Sequence, residues 1–250
     1  MNALRCLCTD CNDTRISSSR RSFLMGAAAA TVAGAFSPYT FAKGTSVPRP
    51  ENVLTPDAAI ERLMAGNDRY VSGKITAYDY VAARGLLKKA QNPYACILSC
   101  ADSRVEPSVC FDESLGDLFI TRDAGNYVNL DLLASLEYGT VVLGASLIMV
   151  LGHTQCGAVK AAIDAEENNT DFPGHIQIIS SAIAEPVQKA RAKNLVGDNL
   201  LKAVTIENVL SNVELLRKST PLLSRLIKAG KLKVIGGVYN LDSGRVELVT

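Results

Sequence analysis

The chain has 250 residues, 48% of them hydrophobic, enough to bury a core without a disulfide framework. Its 26 Lys and Arg against 25 Asp and Glu exclude the strong basic field expected of a nucleic-acid or polybasic membrane binder. Seven cysteines beside two histidines are the unusual feature, and an odd thiol count cannot be wholly paired within the chain.

The first 42 residues do not read as fold. Ser19-Arg20-Arg21-Ser22-Phe23-Leu24-Met25 precedes a weakly apolar run from Gly26 to Phe36, and Thr40-Phe41-Ala42 offers a small-residue cleavage site. This segment resembles a twin-arginine export signal, which implies passage through the Tat machinery and a periplasmic or otherwise exported mature protein. The alternative, an anchor, meets the objection that Phe23 to Phe36 falls short of the ~20 apolar residues a membrane span needs. Cys6, Cys8 and Cys11 would leave with the signal. Loss of Arg5, Arg15, Arg20, Arg21, Asp10 and Asp13 leaves 22 basic and 23 acidic side chains, so the charge stays balanced.

Residues 43–54 read as an extended leader, and 55–250 as one domain. Thr55-Pro56-Asp57 opens a helix with Thr55 as N-cap and Pro56 at the first helical position, its apolar face carrying Ile60, Leu63, Met64, Tyr70 and Val71. A second helix is expected over about 79–90. Strand-length apolar runs follow at 95–99, 118–121, 147–151 and 233–239, with helical stretches near 129–143, 157–166, 175–193 and 197–229. Continuous apolar strands alternating with helices predict an α/β fold, a central and mainly parallel β-sheet flanked by helices. Leu241-Asp242-Ser243-Gly244 is turn chemistry leading to 245–249, an expected antiparallel C-terminal edge strand. Gly236-Gly237 reads as a close-packed strand pair and not as a phosphate loop.

Two loops directly follow strands: Cys100-Ala101-Asp102-Ser103-Arg104 and Gly152-His153-Thr154-Gln155-Cys156-Gly157. Ligands of open parallel sheets gather at the carboxyl ends of strands. Two thiolates and an imidazole there form a donor set suited to Zn²⁺. Taken singly, a Cys is as often a plain buried hydrophobe and a lone His a structural one.

These loops, with Gly116-Asp117-Leu118-Phe119, Arg122-Asp123-Ala124-Gly125-Asn126 and Ser135-Leu136-Glu137-Tyr138-Gly139, resemble the β-class carbonic anhydrases in order and spacing, over about residues 55–249. The resemblance implies one Zn²⁺ per subunit on Cys100, His153 and Cys156, with a fourth position for the water or hydroxide that attacks carbon dioxide to give bicarbonate. It implies a dyad in which Arg104 holds Asp102 to orient that hydroxide; released, Asp102 ligates the zinc and closes the site. Gln91 matches a substrate-binding glutamine, and Phe119, Ala124, Tyr138 and the Gly157 backbone match pocket residues. The family's equivalent of Tyr138 comes from the neighbouring subunit, which implies a homodimer or higher even oligomer. Two further functions share the motifs: hydrolysis of carbonyl sulfide or carbon disulfide on the same zinc, and a non-catalytic zinc-stabilised domain. Neither a nucleic-acid partner nor a stable membrane span is expected. His175 reads as a helix-start or surface histidine before a proton shuttle, and Cys96 and Cys110 as core, with a bridge between them left open by an oxidising compartment.

Overall fold

A computed structural model describes residues 48–249. The export-signal reading, with Cys6, Cys8 and Cys11, lies outside the described residues. The chain enters through a short 3₁₀ turn at Pro50–Asn52, within the stretch expected to be extended. Helix α1 (Pro56–Val71) begins as expected: Thr55 Oγ1 accepts the Ala58 N–H at 3.3 Å, with Pro56 at its first position. Helix α2 (Tyr80–Leu87) is capped by Asp79, whose Oδ1 accepts the N–H groups of Val81 and Ala82. It stops three residues before the expected end. Asn92 exchanges two hydrogen bonds with the Arg49 backbone, which holds the approach to the first strand extended.

Five strands make the sheet: β1 (Ala95–Cys100), β2 (Leu118–Asp123), β3 (Leu147–His153), β4 (Lys233–Tyr239) and β5 (Val246–Val249). Their order is β2-β1-β3-β4-β5; the first four are parallel and β5 pairs antiparallel with β4 at the edge, as the apolar runs and the turn at 241–244 predict. Every residue of β1 and β3 is buried, because these central strands are covered on both faces.

Pleating divides the core in two. Ile97 and Met149 face α1 and the short helix α3 (Pro107–Cys110), meeting Ala59, Leu63 and Phe111. Cys96, Leu98, Ile148 and Val150 face the other way, toward α4 (Leu130–Glu137), α7 (Gly197–Lys218) and α8 (Leu222–Lys228). A third cluster, built on α5 (Gly157–Asn168), α6 (Ile176–Arg191) and the start of α7, sits beyond the carboxyl ends of β1 and β3. The glycine pair in β4 acts as expected. A Cβ at Gly236 would lie 2.5 Å from Val209 of α7, and one at Gly237 3.0 Å from Val246 of β5.

Two helical expectations change. The stretch 197–229 is broken into α7 and α8, because Pro221 has no N–H to donate and disfavours helical backbone at Thr220. The stretch 129–143 leaves α-geometry at Tyr138 and closes with a π-turn, Leu143 N–H to Tyr138 O at 3.2 Å. Cys96 and Cys110 are both free and buried, and they belong to the clusters on opposite faces of the sheet. The sheet therefore separates them and no bridge forms. Burial pushes the Cys96 thiol up to about 12.

Candidate metal centre

β1 and β3 are hydrogen-bonded neighbours that run in the same direction, so their carboxyl ends deliver Cys100 and His153 side by side. Two residues of turn then bring Cys156 back as the residue before α5. Gln155 in that turn takes φ +56°, and Gly157 opens the helix. The ligand atoms of Cys100, His153 and Cys156 all lie within 4.8 Å of one another, and the three residues are 4%, 0% and 1% exposed.

The two sulfurs stand 3.9 Å apart. The Cys156 S–H lowers the Cys100 thiol far below its ordinary range, while the neighbouring Cys100 and burial raise Cys156; the pair shares a proton that a metal would displace. Cys100 Sγ also accepts the Gly125 N–H at 3.3 Å. His153 Nδ1 lies 2.9 Å from Thr154 O. A carbonyl only accepts, so Nδ1 carries the proton and Nε2 presents a lone pair. That Nε2 is buried and has no hydrogen-bond partner. A buried nitrogen lone pair beside two sulfurs that share a proton fits a borderline-soft divalent ion such as Zn²⁺, for which these residues would supply three ligands.

Asp102 faces the same point, its Oδ2 3.8 Å from His153 Nε2. Arg104 grips it as a fork, Nε to Oδ1 at 3.0 Å and Nη2 to Oδ2 at 2.7 Å, and its backbone N–H adds a third bond at 2.9 Å. The Arg104 guanidinium holds the Asp102 carboxyl well below the usual carboxylate range.

The loop carrying this pair is fastened by Arg122 of β2, which donates to the carbonyls of Cys100 (3.0 Å), Asp102 (2.9 Å) and Val105 (2.7 Å) and pairs with Glu106 at 2.9 Å. Thr154 is pinned in turn: its N–H donates to Tyr239 O at 2.9 Å and its Oγ1 accepts the Leu241 N–H at 3.0 Å. Burial pushes the Asp123 carboxyl, at the end of β2, up to about 7, with the Cys100 charge adding to the rise.

The other expected site residues divide into two groups. Ala124 adjoins Gly125 and Gly157 begins α5, so both border the cluster. Gln91, Phe119 and Tyr138 do not reach it within one chain. Register pairs Phe119 with Cys96, four residues back from Cys100, and Gln91 precedes β1 altogether. The Tyr138 ring packs on Phe119 with centroids 6.2 Å apart, at that same amino-terminal side of the sheet. His175 is exposed before the first turn of α6. Sequence reasoning assigned no task to Arg122, although it stands in a recognisable motif, nor to Thr154, whose spacing says nothing of its carbonyl. Among the described residues, no helix is long and apolar enough to cross a membrane.

A parallel α/β sheet with a Cys–His–Cys cluster and an arginine-held aspartate at two strand ends defines a class of site able to hold a divalent metal ion where small ligands gather. The carbonic anhydrase family profile matches residues 95–246. Carbonic anhydrase 2 of Mycobacterium tuberculosis is 37% identical over 196 residues, covering 77% of this chain and 92% of that protein. The structure of the β-carbonic anhydrase CcaA superposes with a TM-score of 0.61 at 27% identity, over 76% of this chain and 95% of that one. A Coccomyxa β-carbonic anhydrase in complex with acetazolamide gives 0.59 at 27% identity, over 77% and 82% of the two chains. The chain belongs to the β-class carbonic anhydrase family.

Proposed function

We propose that this protein catalyses the zinc-dependent, reversible hydration of carbon dioxide to bicarbonate and a proton. The observation that carries the reading is the Cys100–His153–Cys156 cluster, with its Nε2 lone pair turned toward two sulfurs beside an ionised, arginine-held carboxylate. Cys100, His153 and Cys156 would hold the ion. Zinc bound there would supply a hydroxide nucleophile near neutral pH by acidifying water.

The chain's own residues do the rest. Asp102, kept charged by Arg104, can only accept a hydrogen bond, so it orients the nucleophile's proton away from the carbon under attack. Were Arg104 to release it, the same carboxylate could supply a further ligand to a bound ion and so close the site. Gly157 lies in the first turn of α5, where backbone N–H groups lack intrahelical partners and favour developing negative charge on a substrate oxygen. Ala124, next to Gly125, would line the substrate pocket.

Gln91, Phe119 and Tyr138 serve the site of a second copy in this reading. Register sets Phe119 opposite Cys96, Tyr138 packs on Phe119 and Gln91 precedes β1, and exposed Leu130 (82%), Tyr138 (48%) and Val142 (44%) give that region an apolar face. A homodimer is thus the minimum active unit. We also assign residues 1–42 to twin-arginine export; replacing Arg20 and Arg21 with lysine should retain the precursor in the cytoplasm, and unchanged export would overturn this.

The test is stopped-flow hydration of carbon dioxide by zinc-loaded protein, with carbonyl sulfide offered in parallel. Rapid hydration that collapses in Asp102→Ala and Arg104→Ala variants retaining zinc is expected. A zinc-loaded protein inert toward carbon dioxide would sink the proposal.

A further inference from the structure

Two amides on α7 have no part in the reaction as described. Asn208 and Asn212 are 1% and 7% exposed, one turn apart on a helix face that otherwise presents Val204, Val209 and Val213 to the core. A buried amide costs stability unless it is bonded, and a leucine would fill the same space without that penalty. What the amides hold is the loop after β2. Asn208 Nδ2 donates to Gly125 O at 2.8 Å. Asn212 Nδ2 donates to Asn208 O at 2.8 Å and to its Oδ1 at 3.1 Å, which fixes the orientation of the first amide. Asn212 Oδ1 accepts the Val128 N–H at 2.7 Å, so both ends of the turn 125–128 are anchored to one helix.

That turn needs anchoring. Gly125 and Asn126 take φ +102° and +44°, successive left-handed residues, and a Cβ at Gly125 would lie 2.8 Å from Ile183. The conformation so held turns the Gly125 N–H onto Cys100 Sγ at 3.3 Å.

We propose that Asn208, oriented by Asn212, is a positioning residue for the Cys100 thiolate, acting through the Gly125 N–H. The inference rests on the metal-centre reading. A hydrogen bond to a ligating thiolate withdraws charge from sulfur and weakens its donation, which leaves the metal a stronger Lewis acid. α7 thereby tunes a metal it never touches.

The test uses the full-length mature protein loaded with cobalt(II) or ¹¹³Cd. In Asn208→Leu the donor is gone at similar volume, and the sulfur-to-cobalt charge-transfer band should move to longer wavelength. A merely structural role would leave the band in place while lowering the urea midpoint, and that result overturns the proposal. Should the variant fail to fold, the wild type still decides: with ¹⁵N labelling, the Gly125 amide should show scalar coupling to ¹¹³Cd through Cys100 Sγ. Metal-loaded wild type without that coupling overturns the inference alone, whereas wild type that takes up none of these metals overturns the metal-centre reading with it.

Discussion

At the amino-terminal end of β1, Arg62 meets Glu113 through two bonds of 3.1 and 2.7 Å, Tyr94 Oη donates to Glu113 at 2.8 Å, and Asn52 Nδ2 donates to Asp117 at 3.1 Å. The Arg62 guanidinium also lies 4.3 Å from the Tyr94 ring centre. Each buried carboxylate there is answered by a cation or a donor. At the carboxyl end the same sheet leaves His153 Nε2, Asn126 Nδ2, Ser99 Oγ and an Asp123 oxygen buried without a hydrogen-bond partner; at the amino-terminal end Arg49 Nε, which still faces Asp117 at 3.5 Å, and Ser146 Oγ lack one. Both ends bury polarity, which is costly in either place. Where the groups satisfy one another they hold loops together, and where they are left unsaturated they can bind something else.

Substitutions at the two ends should therefore fail differently. The largest effect belongs to the ligands. Cys156→Ser should abolish zinc retention and activity together while the amino-terminal network stays intact, read by metal analysis and stopped-flow on the same sample. A variant that keeps one zinc per chain would show that Cys156 is not a ligand. Next comes Glu113→Ala, which leaves the buried Tyr94 hydroxyl without its acceptor and Arg62 with only Asp117 (3.3 Å) and Asn52 (2.6 Å). Leaving a buried donor unsatisfied costs about 1–3 kcal/mol, so the urea midpoint should fall with turnover per folded, zinc-loaded chain unchanged. A drop in turnover without a drop in stability would erase the distinction between the ends.

Arg122→Met tests an intermediate case, since Arg122 holds the carbonyls of the Cys100–Val105 loop and pairs with Glu106 just beyond it, without belonging to the cluster. Removing a partner behind the ligands typically costs about 10–100-fold in metal affinity or activity. Chelator competition should show a loss in that range, and the lysine variant, which keeps the charge and not the fork, should recover only part of it. Full recovery by lysine would mean that charge, and not the three-carbonyl grip, matters there.

How much of this was legible in the sequence follows the range of the interaction. The apolar runs of β1 and β3 and the turn at 241–244 are local patterns, and they appear where expected. The clustering of Cys100, His153 and Cys156 was legible because each stands at or just past a strand end. Pro221 was a local signal that a continuous helix over 197–229 passed over. The register that sets Phe119 opposite Cys96 was not legible, because parallel strands joined by long crossovers are aligned by packing and not by any tight turn. Asn208 and Asn212 left only a faint trace, two amides at helical spacing on an apolar face. Their partners are more than eighty residues away in sequence.

The smallest expected effect sharpens the comparison at the satisfied end. Asp112 takes φ +46° at the start of that loop, where its carboxylate accepts the Arg69 guanidinium and the N–H and hydroxyl of Thr76. Burial alone would raise this carboxyl, but the Arg69 and Thr76 bonds outweigh it and the group is held below its ordinary value. A carboxyl depressed in the folded state contributes stability that is complete above its unfolded pKa, about 3.9, and is lost as pH falls through the folded value. Asp112→Asn removes the charge while keeping a residue that tolerates left-handed backbone. The variant should be modestly less stable at pH 7, with a flatter decline of the urea midpoint below about pH 4. Turnover at pH 7 to 8 should not change. A variant declining as steeply in acid as the wild type would show that Asp112 carries none of the acid sensitivity, and that the network at this end is held by shape more than by charge.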